Sequence, residues 1–210
     1  MTDGSPTKPD TGRTGIILAG GRSTRFGTMD KATATLDGCP MISRVADALD
    51  PIVDELVVNC RAEQRTGLTA ALLDFDVRFA EDSYPDCGPV FGLRTALRES
   101  RGVYAAVLPC DMPFVPSGFL SHLFNRLGGR PGIVPTGSDG MIPVPAVVHT
   151  RAAVSACTEA LRSGDDSLHG VMSHLDVAVL DEREVTAHAG KRAFHNVNTL
   201  DDLRAAASSR

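Results

Sequence analysis

The sequence predicts an α/β protein, a three-layer α/β/α, Rossmann-like fold around a mostly parallel central sheet. Three observations carry the expectation. Short apolar runs alternate with amphipathic stretches along the chain, the runs are continuously apolar, and 210 residues give room for one ordinary α/β domain but not comfortably for two. Continuously apolar strands separated by helices are what a sheet covered on both faces requires.

Residues 1–14 are Thr, Pro, Gly, Asp and Lys with almost nothing apolar, so they are expected to form a disordered leader before a single domain over 15–210. Residues 15–19 (Gly-Ile-Ile-Leu-Ala) read as a buried strand that ends in Gly20-Gly21. Residues 41–49 read as a helix with Ile42, Val45, Ala46 and Leu49 on one face. A strand is expected over 55–59, a helix over 64–73 and a strand over 77–80. Pro89 opens a helix to residue 97, at a position where its missing N–H costs nothing. Residues 103–108 are the most strand-like run, broken by Pro109 and Pro113 before a helix over 117–127. A strand over 144–148, a helix over 152–161, a strand over 177–180 and a helix over 200–207 complete the reading. Right-handed crossovers would align the loops after the strands along one sheet edge, where open α/β sheets bind ligands.

Composition removes several functional classes. The hydrophobic fraction of 42% and charged fraction of 22% exclude intrinsic disorder and fibrous repeats. A net charge of −5 argues against a nucleic-acid-binding surface, so an anionic ligand has to be held by a few local cations. Trp is absent and aromatics are 5%, which gives no platform for stacking single-stranded bases. No apolar run is long enough for a membrane span, and the N-terminus has no signal-peptide pattern, so a cytoplasmic protein is expected. The five cysteines (Cys39, Cys60, Cys87, Cys110, Cys157) form no Cys-x-x-Cys pair and read as free thiols used for packing. The histidines are scattered and read as solvated or packed, with His195 beside Asn196 the one that could approach a substrate.

The most informative stretch follows the first strand: Leu18-Ala19-Gly20-Gly21-Arg22-Ser23-Thr24-Arg25-Phe26-Gly27-Thr28-Met29-Asp30-Lys31. Three glycines with two arginines and a lysine can wrap backbone N–H groups and cations around phosphates. The loop is neither the dinucleotide fingerprint nor a P-loop, because neither Gly-x-Gly-x-x-Gly nor Gly-Lys-Ser/Thr occurs at the required spacing. A glycine-rich turn with solvated charges is the plain alternative. Lysine occurs only at positions 8, 31 and 191, and its placement beside two arginines favours phosphate binding.

This loop resembles the signature of nucleotidyltransferases with a sugar-nucleotide-transferase-like fold, most closely the molybdenum cofactor guanylyltransferases with their Leu-Ala-Gly-Gly…Arg…Gly…Asp-Lys pattern. Further segments resemble that family in order. They are Asp37-Gly38-Cys39-Pro40-Met41, Val57-Val58-Asn59, Glu81-Asp82-Ser83 with Gly88-Pro89 and Gly92, Pro109-Cys110-Asp111-Met112-Pro113-Phe114, and Asn196-Val197-Asn198-Thr199. Phe26 and Thr28 depart from the usual Met and Gly of the loop. Ile142-Pro143 departs from the usual polar residue before proline on the acceptor side.

The resemblance implies transfer of GMP from GTP to the phosphate of molybdopterin with release of pyrophosphate, and Mg²⁺ as cofactor. Alternatives are CTP or another phosphorylated acceptor, and a nucleotide-binding regulator without turnover. Cofactor-assembly proteins or acceptor apoproteins are the expected protein partners; nucleic acid and membrane are not expected. Nucleotidyl transfer needs charge neutralisation and positioning more than covalent help, and the acceptor phosphate is already ionised at neutral pH. Lys31 and Arg25 are therefore the expected catalytic cations, and Asp111 at a strand end the expected Mg²⁺ ligand. Asp111 could instead cap the helix near Ser117, a task Ser117 itself can perform. Leu18, Ala19, Gly20 and Gly21 are expected to present backbone to the nucleotide. Asn59 is expected to read a base edge with donor and acceptor, and Asp82 to accept from guanine or ribose or to hold Mg²⁺ through an intervening ligand. Asn196 and Asn198 point the same way if their segment is extended, which suits a polar heterocycle, and the resemblance implies that they lie on the acceptor side.

Overall fold

The computed structural model describes residues 12–22, 26, 29–82, 88–190 and 192–208. Seven strands form the main sheet path. In chain order they are β1 (Arg13–Leu18), β4 (Glu55–Cys60), β5 (Val77–Glu81), β6 (Tyr104–Pro109), β7 (Gly132–Gly137), β9 (Ala146–His149) and β10 (Ala178–Leu180). Their spatial order is β10-β7-β9-β6-β1-β4-β5, with a short β8 (Gly140–Met141) paired to β7. β2 (Thr35–Leu36) and β3 (Cys39–Pro40) form a separate two-stranded hairpin. β1 pairs in parallel with both β4 and β6, whereas β9 runs antiparallel to both of its neighbours.

Side chains alternate across the strands and divide the core into two layers. Ile17, Val58 and Leu108 face one side and pack with α1 (Met41–Leu49), α2 (Arg65–Ala71), α4 (Ser117–Arg126) and α7 (Glu182–Ala189). Their neighbours Ile16, Val57 and Val107 face the other side, against α3 (Pro89–Glu99), α5 (Thr150–Arg162) and α6 (Leu168–Leu175). Each large side chain so buried contributes roughly 1.5–3 kcal/mol relative to exposure. A third, smaller cluster joins Phe26, Ala34, Leu36 and Met41 to Val197 and to Ala206 of α8 (Leu200–Ser208). It ties the glycine loop to the C-terminal segment.

The strand start corrects the expected domain boundary. Arg13 and Thr14 are strand rather than leader, because Asp54 Oδ2 accepts from the Arg13 N–H at 2.7 Å and the buried Thr14 hydroxyl donates to Glu55 Oε1 at 2.7 Å. The rest of that leader, residues 1–11, lies outside the described residues. The strands β2, β3, β7 and β8 and the helices α6 and α7 are additional to the expected elements. Ser117 does not cap α4, which begins after Pro116 without a side-chain cap. Asp111 does not cap it either, since its carboxylate is engaged elsewhere.

Candidate active site

The chain leaves β1 for β4 on one side and later returns to β6 on the other, so the carboxyl end of β1 is the switch point of the sheet. A cavity of about 390 Å³ opens there. Leu18, Asn59, Asp82 and Pro109 bring four strand ends to it, Gly20, Gly21 and Arg22 form one rim, and Pro89, Phe91 and Gly92 of α3 form another. Lys31 and Leu168 also line it.

Lys31 opens a 3-10 turn whose N-cap is Asp30, the carboxylate accepting from the Ala32 N–H at 3.0 Å. Its ammonium donates to Asp111 Oδ2 at 2.6 Å. Burial works against the ammonium, but the charge and hydrogen bond of Asp111 and the charge of Asp30 help to outweigh it, and the Lys31 pKa lies above its usual value. Lys31 is therefore fully cationic at neutral pH. Asp111 lies just past β6, behind Lys31 and not in the cavity lining, and is 9% exposed. The neighbouring Cys110 thiol is buried and pushed up to about 12, so it stays neutral. Burial likewise lifts Cys60 to about 11 and Cys157 to about 12, in keeping with packing roles.

Asn59 is 2% exposed and both its amide hydrogens are engaged, on the Ala80 carbonyl at 3.2 Å and on Asp82 Oδ1 at 2.8 Å. Its Oδ1 lies between two glycines. A Cβ at Gly20 would stand 2.9 Å from it, and a Cβ at Gly92 would overlap it. Asn59 thus has no N–H left to read a base, and its geometry makes it the support of Asp82. Burial raises the Asp82 pKa, opposed by the hydrogen bonds from Asn59 and Thr95 and by the charge of Arg61.

The C-terminal segment reaches the same place. The Val197 N–H donates to the Asp111 carbonyl at 2.9 Å. Val197 is buried while Asn196 is exposed and Asn198 half-buried, the alternation of an extended segment. Thr199 caps α8, accepting from the Asp202 N–H at 3.0 Å while the Asp202 carboxylate accepts from the Thr199 N–H at 2.9 Å.

A family profile described as "MobA-like NTP transferase domain" matches residues 15–179. The chain belongs to the MobA-like NTP transferase family. It is similar to a Haloferax mediterranei protein named probable molybdenum cofactor guanylyltransferase, with 64% identity over 210 residues and 100% of both chains covered. A Serratia proteamaculans molybdenum cofactor guanylyltransferase is 30% identical over 190 residues, 90% of this chain and 91% of that one. The solved structure of molybdopterin-guanine dinucleotide biosynthesis protein A from Archaeoglobus fulgidus is similar with a TM-score of 0.74 at 25% identity, covering 92% of this chain and 96% of that one.

This MobA-like transferase brings Leu18, Gly20, Gly21, Lys31, Asn59 and Asp82 to one cavity, with Asp111 bonded to Lys31. Ala19 does not join them. It is buried and outside the cavity lining, its N–H donates to the Asn59 carbonyl at 2.9 Å and its own carbonyl accepts from Gln64 at 2.9 Å, so its N–H is already engaged. Arg25 lies outside the described residues. Arg22, expected to be solvated, is exposed but lines the cavity rim. The sequence reading missed Phe91, Pro109 and Leu168 as lining residues and missed Arg61 and Gln64 behind the glycine loop. An arginine directly after the strand that carries Asn59 was the available signal.

Proposed function

We propose that this chain transfers GMP from GTP to the phosphate of molybdopterin, forming the guanine dinucleotide form of the molybdenum cofactor. The carrying observation is the cavity itself, which joins a glycine loop, the Lys31–Asp111 pair and the Asn59–Asp82 pair at the switch point of the sheet. Relatives covered over nine-tenths or more of their length bear the name of that activity. In the reaction a phosphate oxygen of the acceptor bonds to the α-phosphorus of GTP, and the bond to the bridging oxygen breaks to release pyrophosphate. Lys31 and Arg25 would offset the developing charge, and the amides of Gly20 and Gly21 would face phosphate oxygens. Leu18 adds the backbone at the strand end, and Asp82, held by Asn59, would accept from the guanine edge. Asn196 and Asn198 would face the pterin.

The donor set fits Mg²⁺. Asp111 offers one carboxylate beside Lys31 and Asp82 a second on the cavity lining, and no cluster of three or more ligating side chains occurs among the described residues. Mg²⁺ commonly takes one or two carboxylates and completes its shell with phosphate and water. When bound, it would supply charge neutralisation on the phosphates. Among the described residues no helix is long and apolar enough to cross a membrane. We place the reaction in the cytoplasm, where cofactor-assembly proteins or acceptor apoproteins would receive the product.

Thermal shift with GTP, CTP, ATP and NAD, each with and without Mg²⁺, tests the assignment. A ligand at about a hundred times its Kd adds about 2.7 kcal/mol, and GTP is expected to give the largest shift. Equal shifts with all four ligands, or a selective shift with CTP, would overturn the guanylyl assignment.

A further inference from the structure

The glycine loop is held from behind by two side chains that do not line the cavity. Arg61 follows β4 directly, and its Nη1 donates to the carbonyls of Gly20 and Gly21, both at 2.6 Å. Gln64, three residues on and 6% exposed, donates through Nε2 to the Ala19 carbonyl at 2.9 Å. The same Nε2 donates to Asp30 Oδ2 at 2.5 Å, while Gln64 Oε1 accepts from the Arg61 N–H at 2.9 Å. Every polar atom of this buried carboxamide is engaged. Arg61 is itself steadied by Glu63, its Nε donating to Oε1 at 2.7 Å.

Three successive carbonyls, those of Ala19, Gly20 and Gly21, thus turn toward one pair of side chains. In a planar trans peptide the C=O and the following N–H point in opposite directions, and these peptides are trans. The N–H groups of Gly20, Gly21 and Arg22 are therefore turned away from Arg61 and Gln64, and all three residues line the cavity. The amides of Gly20 and Gly21 donate to no acceptor among the described residues. Successive N–H groups facing one way make an anion-binding concavity. Through Asp30, Gln64 also fixes the turn that carries Lys31.

We propose that Arg61 and Gln64 are positioning residues that set the loop amides and Lys31 for the phosphates of the nucleotide before it binds. This inference rests on the reading of the cavity as a nucleoside triphosphate site. Neither residue touches the substrate. Loss of either should loosen the phosphate end, and the base end, built on Asn59 and Asp82, should feel only the small loss of the Arg61 charge on Asp82.

Calorimetric titration of GTP with Mg²⁺, and separately of guanosine, on wild type, Arg61→Ala, Arg61→Lys and Gln64→Ala tests it. Arg61→Ala is expected to weaken GTP about tenfold while guanosine changes by less than about twofold, since tenfold corresponds to losing one hydrogen bond of the charge-assisted kind. Arg61→Lys keeps the charge but not the fork, and should fall between the two. Gln64→Ala should act in the same direction as Arg61→Ala. Parallel loss of GTP and guanosine affinity, or unchanged GTP affinity in folded Arg61→Ala and Arg61→Lys, would overturn the positioning role. Wild type that binds GTP no tighter than guanosine would instead overturn the phosphate reading of the cavity.

Discussion

Replacing Gly92 with alanine should destabilise this protein, although helix propensity argues the reverse. Gly92 lies inside α3, where alanine is ordinarily better than glycine by about 0.5–1 kcal/mol. A Cβ there would overlap Asn59 Oδ1 and stand 3.0 Å from Asn59 Cγ. Asn59 has nowhere to go, because Gly20 closes its other side and its amide is bonded to Ala80 and Asp82. If it turns, two buried hydrogen bonds are lost, at about 0.5–1.5 kcal/mol each. If α3 moves instead, Val90 and Leu93 leave their packing, and such overpacking costs typically about 1–3 kcal/mol. The net expectation is a loss of about 1–2 kcal/mol after the propensity gain is subtracted, or roughly 2–8 °C in Tm for a chain of this size. Gly67 is the internal control. It lies inside α2, and a Cβ there meets only Thr33 Cγ2 at an ordinary 3.6 Å. Gly67→Ala should therefore gain up to about 1 kcal/mol. Urea unfolding of both variants measures the two signs. A Gly92→Ala protein as stable as wild type, or more stable, would refute the claim that Asn59 is clamped between the two glycines.

Asp111→Asn is expected to cut turnover by about 10²-fold or more, as loss of one preorganised electrostatic group does, with GTP affinity falling less; Mg²⁺-dependent turnover near wild type would return Asp111 to a structural role. Asn196→Ala with Asn198→Ala should raise KM for the pterin acceptor by about 0.5–1.5 kcal/mol per side chain and leave GTP affinity by calorimetry nearly unchanged. An equal drop in GTP affinity would move both residues to the nucleotide side. Glu55 supplies a pH signature. Burial disfavours its carboxylate, but the Arg101 N–H, the Thr14 hydroxyl and Arg78 more than compensate and hold its pKa below the usual 4.5. A depressed folded pKa stabilises above the unfolded value and is lost as pH falls through the folded one. The stability gap between wild type and Glu55→Gln should therefore be constant near neutral pH and shrink below 4.5; a gap that widens on acidification would contradict this.

What the sequence discloses and what it conceals follow from how local each interaction is. The helix over 41–49 was legible because its apolar face repeats at helical spacing, and it runs over Met41–Leu49. β7 was not, because Pro135 argues against an interior strand. It is tolerated because β9 pairs only with Gly132 and Ile133, leaving Pro135 beyond that ladder. α6 was hidden by Gly170 and two histidines among its apolar residues, and α7 by the scarcity of apolar residues in Glu182–Ala189. The glycine loop and Lys31 were visible because their chemistry is carried by consecutive residues. The role of Asn59 was not, because it depends on Ala80 and Asp82, 21 and 23 residues away. The bonds of Ala19 were hidden for the same reason: its carbonyl partner, Gln64, lies 45 residues on.

Asp111 is where the parts of the site become one unit. Its side chain holds Lys31, and through Lys31 the turn capped by Asp30 and the clasp of Gln64. Its backbone carbonyl holds Val197, which places Asn196 and Asn198 beside the same strand end. Val197 in turn shares a buried cluster with Phe26, from the loop that begins at the glycines. The glycine loop with Lys31 and the segment of Asn196 and Asn198, the proposed nucleotide and acceptor sides, are thus connected both by hydrogen bonds through one residue and by packing through one small core. Phe26 keeps that core apolar and contributes an aromatic ring to it. A transfer between two large substrates requires their reacting phosphates to meet in line, so such a shared anchor serves positioning directly. As the proposed Mg²⁺ ligand, Asp111 would need no cluster of acids around it. Its orientation is set by a lysine and a backbone bond, and the substrate's own phosphates would complete the shell of Mg²⁺.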